Sequence, residues 1–357
     1  LGRGTGLVTI YYCLALSFVI ASLVKVYKMK YLESLLQWFV VGGVILATSV
    51  WFGTDGFSLP IKVFSKDAGG GFAGNSTLTA GYLLFIFGAS FFLLFSKSVS
   101  KVKKWLIGLG VLVAIFSPVF VSLYGLLNGN GILGTARGTI LALGAGLVGV
   151  WLGYMFLSSK KIVKGLSIGI FSLGLVIFAV LWGQLINPQT ALNQKFREQA
   201  RETRFIFWDV SKQAMIKSPI FGYGPENFSI AFQDFFNPQV LVLENSFEGW
   251  VDRAHNIYYD LGVSGGYPLI ILYAVFILSL FYALYLSYKN GYFSRIQTAI
   301  LAGLFLAYIV NLLFTFESNI SLLALFVLSG VLYSLKHKGI ENNNTPQTSI
   351  SREDKTF

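Results

Sequence analysis

Long apolar runs alternate with short polar connections along almost the whole chain. The runs near 6–24, 35–52, 78–96, 105–127, 138–157, 165–183, 267–288, 297–314 and 319–335 each approach the roughly 20 residues a helix needs to cross a bilayer. They are continuously apolar, without period-two alternation, so the pattern predicts helix rather than strand. The expected fold is an all-α polytopic membrane protein with about nine transmembrane helices. Residues 1–183 hold helices one to six, 184–266 form a long external loop containing amphipathic helices, and 267–335 hold helices seven to nine. The remainder, 336–357, is a polar cytoplasmic tail expected to be disordered.

Charge sets the orientation. Lys25, Lys28 and Lys30 follow the first run, and Lys97, Lys101, Lys103 and Lys104 the third. Lys160, Lys161 and Lys164 follow the fifth, Lys289 and Arg295 the seventh, Lys336 and Lys338 the ninth. Every second connection is basic, which assigns these to the cytoplasm and the loop 184–266 to the outside. An odd number of spans beginning outside, in a chain that starts at Leu1, leads us to expect that N-terminal spans are missing.

Composition agrees: 55% of residues are hydrophobic and 12% charged, against about 25% charged in ordinary globular domains. The net charge of +11 does not indicate nucleic acid, because the basic residues recur as small clusters between apolar runs instead of forming one soluble face. The single cysteine, Cys13, excludes an intramolecular disulfide and reads as a small packing residue.

Candidate chemistry collects in the external segments. In "KFREQARETRFIFWDVSKQAMIK", Arg197, Arg201 and Arg204 sit at i, i+4 and i+7, and Trp208 continues that helical stripe. Two readings stand for it, an interfacial membrane anchor or a guanidinium clamp on phosphate. "SPIFGYGPENF" follows, where Gly222 and Gly224 fit either a tight turn or close approach of a ligand. "VDRAHNIYYDLGVSGG" gathers Asp252, Arg253, His255, Asn256 and Asp260. His255 is the only histidine outside the tail, and a neutral imidazole can take a proton from a hydroxyl nucleophile. A histidine that merely satisfies a helix start is the competing reading. Asn256 can donate hydrogen bonds, and an acidic neighbour can orient the imidazole. Arg137 in "GILGTARGTI" stands at the outer mouth of a span, and Asn75 in "GGGFAGNSTLTAGYL" precedes another. They fit a snorkelling anchor and a flexible approach to a helix unless they face the interior. "GVSGG" matches the serine-nucleophile pattern, but no strand precedes it, so Ser264 reads as part of a turn. No metal-ligand spacing, P-loop or dinucleotide fingerprint is present.

In their order along the chain, "GGFAGNSTLTAGYLL", "GTARGTILAL", "RFIFWDVSKQAMIKSPIFGYGPENF" and "RAHNIYYDLGVSGGYPLIILY" resemble four elements of the O-antigen ligase and polymerase superfamily of bacterial envelope enzymes. The resemblance spans roughly 70–288. It implies a helical, C-type glycosyltransferase of the bacterial inner membrane with its site on the periplasmic face. The donor would be an oligosaccharide on a polyprenyl diphosphate, the acceptor a lipid, glycan or protein hydroxyl, and neither metal nor other cofactor would be needed. Arg137 and Arg204 would contact the diphosphate and His255 would activate or position the acceptor. Asn256, Trp208, Gly224 and Asn75 are the accompanying candidates for substrate binding, together with Arg201 and Arg253, which lie near them in the sequence without a clear family counterpart. This sequence departs from the family pattern at Ala136, where Ser is common, and at Ser76-Thr77, where Pro-Asn is frequent. A transporter or flippase is the alternative, but it would place its charged or helix-breaking residues within the spans.

Overall fold

The computed structural model describes residues 5–52, 76–96, 99–112, 137–194, 203–241 and 251–335. Among these residues all regular structure is helical. The elements are α1 (Thr5–Phe52), α2 (Ser76–Leu94), α3 (101–112), α4 (Arg137–Phe156) and α5 (Lys161–Ile186). They continue with α6 (Thr203–Lys217), α7 (Phe228–Asp234), a 3-10 turn at Pro238–Leu241, α8 (Ile257–Lys289), α9 (Arg295–Leu312) and α10 (Asn319–Leu335). Four are long and apolar enough to cross a membrane: Gly138–Phe156 of α4, then α5, α8 and α9. Shorter apolar stretches, Tyr11–Lys25, Glu33–Thr48, Gly81–Leu94 and Ser321–Leu335, occupy four further predicted runs. The run 105–127 is helical to 112 and then leaves the described residues, as does the tail 336–357.

Two boundaries differ from the sequence expectation. The first two runs belong to one helical element, because residues 25–34 remain helical. That segment contains neither Gly nor Pro, so nothing in it obliges the backbone to leave helical geometry. The two halves of α1 take different partners: Ser17 Oγ lies 3.1 Å from Ser329 Oγ of α10, while Gly43 sits against Ile86 of α2. The second difference is at α8, which begins at Ile257, about ten residues before the predicted span.

The central bundle is built on α9, which buries residues on every side. Close approach of its neighbours depends on small residues, as expected where lipid supplies no hydrophobic drive between helices. A Cβ on Gly303 would lie 2.5 Å from Gly146 O and 2.5 Å from Val150 Cγ2 of α4. On its α2 side, Gly88 accepts Leu304 in the same way. By contrast α5 is exposed along most of its length, and Ser167 Oγ ties it to Leu152 O of α4 at 2.7 Å.

The two ends of the bundle are chemically distinct. At one, Arg295 stacks 3.7 Å from the Tyr154 ring centroid and donates to Tyr154 O, Lys164 lies over Phe156, and Lys103 donates to Gln37. At the other, Thr139 Oγ1 donates to Asn311 Oδ1 at 2.8 Å and Gly138 rests on Phe314. The external segments assemble at this second end. The last carbonyls of α5 lead there without a glycine cap, because Asn193 donates to Leu185 O and Lys212 to Ile186 O.

The α4–α9 contact predicts that Gly303→Ala lowers the melting temperature in detergent, by the equivalent of about 1–3 kcal/mol for an overpacked interface. Gly144, with open space around its Cα, is the control: Gly144→Ala should leave melting unchanged or raise it.

Candidate active site

The site is organised by a break in α8. Gly265 and Gly266 leave helical geometry, and Gly266, at φ 66° and ψ −168°, occupies a region that only glycine enters without strain. Pro268 has no N–H and crowds the carbonyl four residues earlier, so Ser264 O loses its helical partner. The segment 218–224 replaces what the helix gives up. Tyr223 N donates to Val263 O at 2.7 Å, Gly224 N to Ser264 O at 3.0 Å, and Tyr267 N to Pro219 O at 2.8 Å. Backbones meet so closely that a Cβ on Gly222 would stand 2.5 Å from Val263 O, and one on Gly266 2.3 Å from Pro219 O. Both glycine-rich motifs are thus halves of one backbone joint, and Ser264 is engaged through its carbonyl.

Around this joint α6, α7 and the first turns of α8 enclose a second core, separate from that of the bundle. Phe205, Ile206, Phe207 and Trp208 are all buried in it. The aromatic face of α6, which in the anchor reading would meet the membrane surface, is packed against protein. Met215 of α6 fills the space over Gly262. Trp208 lies among Trp182, Phe205 and Tyr259 at centroid distances of 5.7, 5.3 and 5.8 Å, and its Nε1 donates to Ala254 O at 3.0 Å.

That bond reaches the residue before His255. Ala254 N in turn donates to Asp260 Oδ1 at 2.7 Å. On the other side Asn256, fully buried, is the N-cap of α8: its Oδ1 accepts from Tyr258 N at 2.9 Å. Its Nδ2 donates to Leu313 O at 3.0 Å. His255 is held between these two pinned residues with φ at 57°, in the left-handed region that is uncommon for a residue with a Cβ. Its imidazole stacks on Phe207 at 6.2 Å and meets the Phe316 ring at right angles at 5.2 Å.

The turn 313–318 links this loop to the bundle. Leu313 holds Asn256, Phe314 supports the first turn of α4 at Gly138, and Phe316 touches His255. Glu317 anchors the turn. It accepts from Tyr308 Oη, which lies 3.3 Å from Tyr273 Oη of α8. Burial pushes the Glu317 carboxyl up to about 7, against the smaller lowering effect of the Tyr308 bond.

The structure thus draws together Trp208, His255, Asn256 and the N-terminal end of α4, where Arg137 begins the helix. Arg204 is partly buried one turn before Trp208 on α6, on the face that Phe207 and Trp208 share. Arg253 lies 3.9 Å from Glu226 Oε1, a weak pair at the rim. Gly224 serves the backbone joint. Asn75 and Arg201 lie outside the described residues. Asp260 accepts from the loop backbone at Ala254 N, whereas the sequence offered Asp252 or Asp260 as a partner for the imidazole. Sequence reasoning missed Phe207, Phe316 and the Leu313 carbonyl. Glu317, a single acid between two apolar runs, was the one available signal for this turn. Among the described residues no three His, Cys, Asp or Glu side chains come together as metal ligands.

Residues 126–274 match the family model described as O-antigen ligase. The match supports the O-antigen ligase superfamily for this chain, and it includes Arg137, Arg204 and His255. No curated protein matches the chain.

Two outcomes follow from the geometry. Gly266→Ala should open the joint and raise protease cleavage within 218–227, whereas Gly291→Ala, at φ 79° with nothing within 4 Å, should not. For Glu317 the folded-state value is raised from 4.5 to about 7. The fold then binds the proton more tightly, so stability is full below 4.5 and falls as pH rises towards 7. Thermal melting across that interval should show this slope in the parent and lose it in Glu317→Gln.

Proposed function

We propose that this chain, for which the match over residues 126–274 supports the O-antigen ligase superfamily, is a membrane glycosyltransferase that moves a glycan from a polyprenyl diphosphate to an acceptor hydroxyl. The observation that carries the reading is the setting of His255. The one histidine of the matched region sits between two hydrogen-bonded neighbours, in a left-handed backbone conformation, on a loop that the turn 313–318 links to the end of the helix that Arg137 begins. Held backbone strain of this kind gathers at functional sites.

In this mechanism the acceptor oxygen attacks the anomeric carbon while the carbon–oxygen bond to the diphosphate breaks. His255 takes the acceptor proton. The electron pair of the broken bond leaves with the diphosphate, and the guanidinium groups of Arg137 and Arg204 stabilise the developing charge. Arg201, Arg253, Asn256, Trp208 and Asn75 shape the surroundings of donor and acceptor, with Trp208 and Asn256 acting through the loop that carries His255. The spans hold the lipid tail. Their lysine-rich end faces the cytoplasm of a bacterial inner membrane and the site faces the periplasm.

The test uses the full-length protein in membranes with a polyprenyl-diphosphate oligosaccharide and several acceptors. His255→Ala should lower transfer by about 100-fold or more, and Arg204→Ala by a similar order. EDTA should leave the parent unchanged. Equal transfer by parent and both variants would remove the site assignment. Carrier translocation without transfer in the parent would favour a flippase.

A further inference from the structure

We infer that the turn 313–318, which lies outside residues 126–274, belongs to the active site, and that Phe316 is a positioning residue for His255. This rests on the transferase reading above.

The argument begins with what holds the imidazole. The backbone on both sides of His255 is fixed, by Trp208 and Asp260 at Ala254 and by Leu313 at Asn256. A fixed backbone still leaves the side-chain torsions of histidine free. Two rings contribute to their confinement: Phe207, lying nearly parallel with the imidazole at 29°, and Phe316, standing across it at 81°. A near-parallel ring allows sliding and rotation in its own plane. A ring standing across the imidazole resists that in-plane motion, so the pair restricts the orientation more than either ring alone.

Phe316 can do this because its turn is held at several points. Leu313 is bonded to Asn256, Phe314 is seated under Gly138, Glu317 is bonded to Tyr308, and Ser318 Oγ accepts from Ser321 N at the start of α10. The same turn therefore touches both the loop that carries His255 and the end of the helix that Arg137 begins. It sets the register between the proton acceptor and the diphosphate side of the site. A shift of about 1 Å in such a register can cost up to 10²-fold in rate.

The experiment compares the parent, Phe316→Ala, Phe316→Leu, Phe316→Tyr and His255→Ala in full-length protein in membranes. Transfer kinetics are paired with diethyl pyrocarbonate labelling of His255 followed by peptide mass spectrometry, a readout independent of transfer. Phe316→Leu keeps apolar volume and guards against a variant that fails to fold. We expect Phe316→Ala and Phe316→Leu to lower kcat about tenfold with the donor KM unchanged and with faster labelling of His255. Phe316→Tyr, which restores the ring, should return both readouts to near parent values. Parent kcat and parent labelling in Phe316→Leu, with His255→Ala inactive, would overturn the inference and leave the transferase reading standing. Full transfer by His255→Ala would overturn both.

Discussion

The joint between residues 218–224 and the broken turn of α8 is the constraint on which the rest of the site depends. A helix interrupted inside packed protein must find new partners for the backbone groups it frees, because burial keeps water from them. Here Pro268 makes the break unavoidable and glycine makes it geometrically possible. The freed carbonyls of Val263 and Ser264 are taken by Tyr223 and Gly224, and the freed amide of Tyr267 finds Pro219. Since these are backbone bonds between segments about forty residues apart, they fix the external core to the bundle whatever side chains surround them. The position of His255, eight residues before the first freed carbonyl at Val263, follows from that attachment.

A second layer of restraint comes from the opposite direction, through the turn 313–318. It approaches the loop of His255 from the bundle, as α6 approaches it from the external core. The catalytic candidate is thereby gripped between two independently built units: Trp208 holds its neighbour on one side, and Leu313 on the other. The cost is a carboxyl group carried into a buried place. Glu317 meets that cost through its bond from Tyr308 and through a raised affinity for its proton. Such an arrangement suits the transfer proposed above, in which developing charge is met by fixed, poorly solvated groups rather than mobile ones.

The sequence carried much of this. Runs of continuous hydrophobicity identified the helices, because burial in lipid demands apolar side chains on every face and leaves an unmistakable length of about 20 residues. Alternating lysine clusters distinguished the two ends. The isolation of His255, with Asn256 and nearby acids in an otherwise apolar chain, marked the candidate stretch, because polar chemistry in such a setting is costly to keep. Residues 25–34 were less legible: basic side chains signalled a connection, yet side-chain charge does not oblige the backbone to leave a helix.

What the sequence by itself determined, then, is the set of elements, their chemical polarity and the identity of the charged candidates, all of which depend on local composition. Only the tertiary structure decided how "SPIFGYG" and "GVSGG" mate, that the aromatic face of α6 is buried against protein, and that Phe316 reaches His255 across sixty-one positions of sequence. A glycine pair looks the same in a sequence whether it receives a ligand or another backbone, and a phenylalanine looks the same whether it faces lipid or an imidazole. Those outcomes depend on which distant segment arrives, and that is settled by the satisfaction of backbone hydrogen bonds and the filling of a shared core.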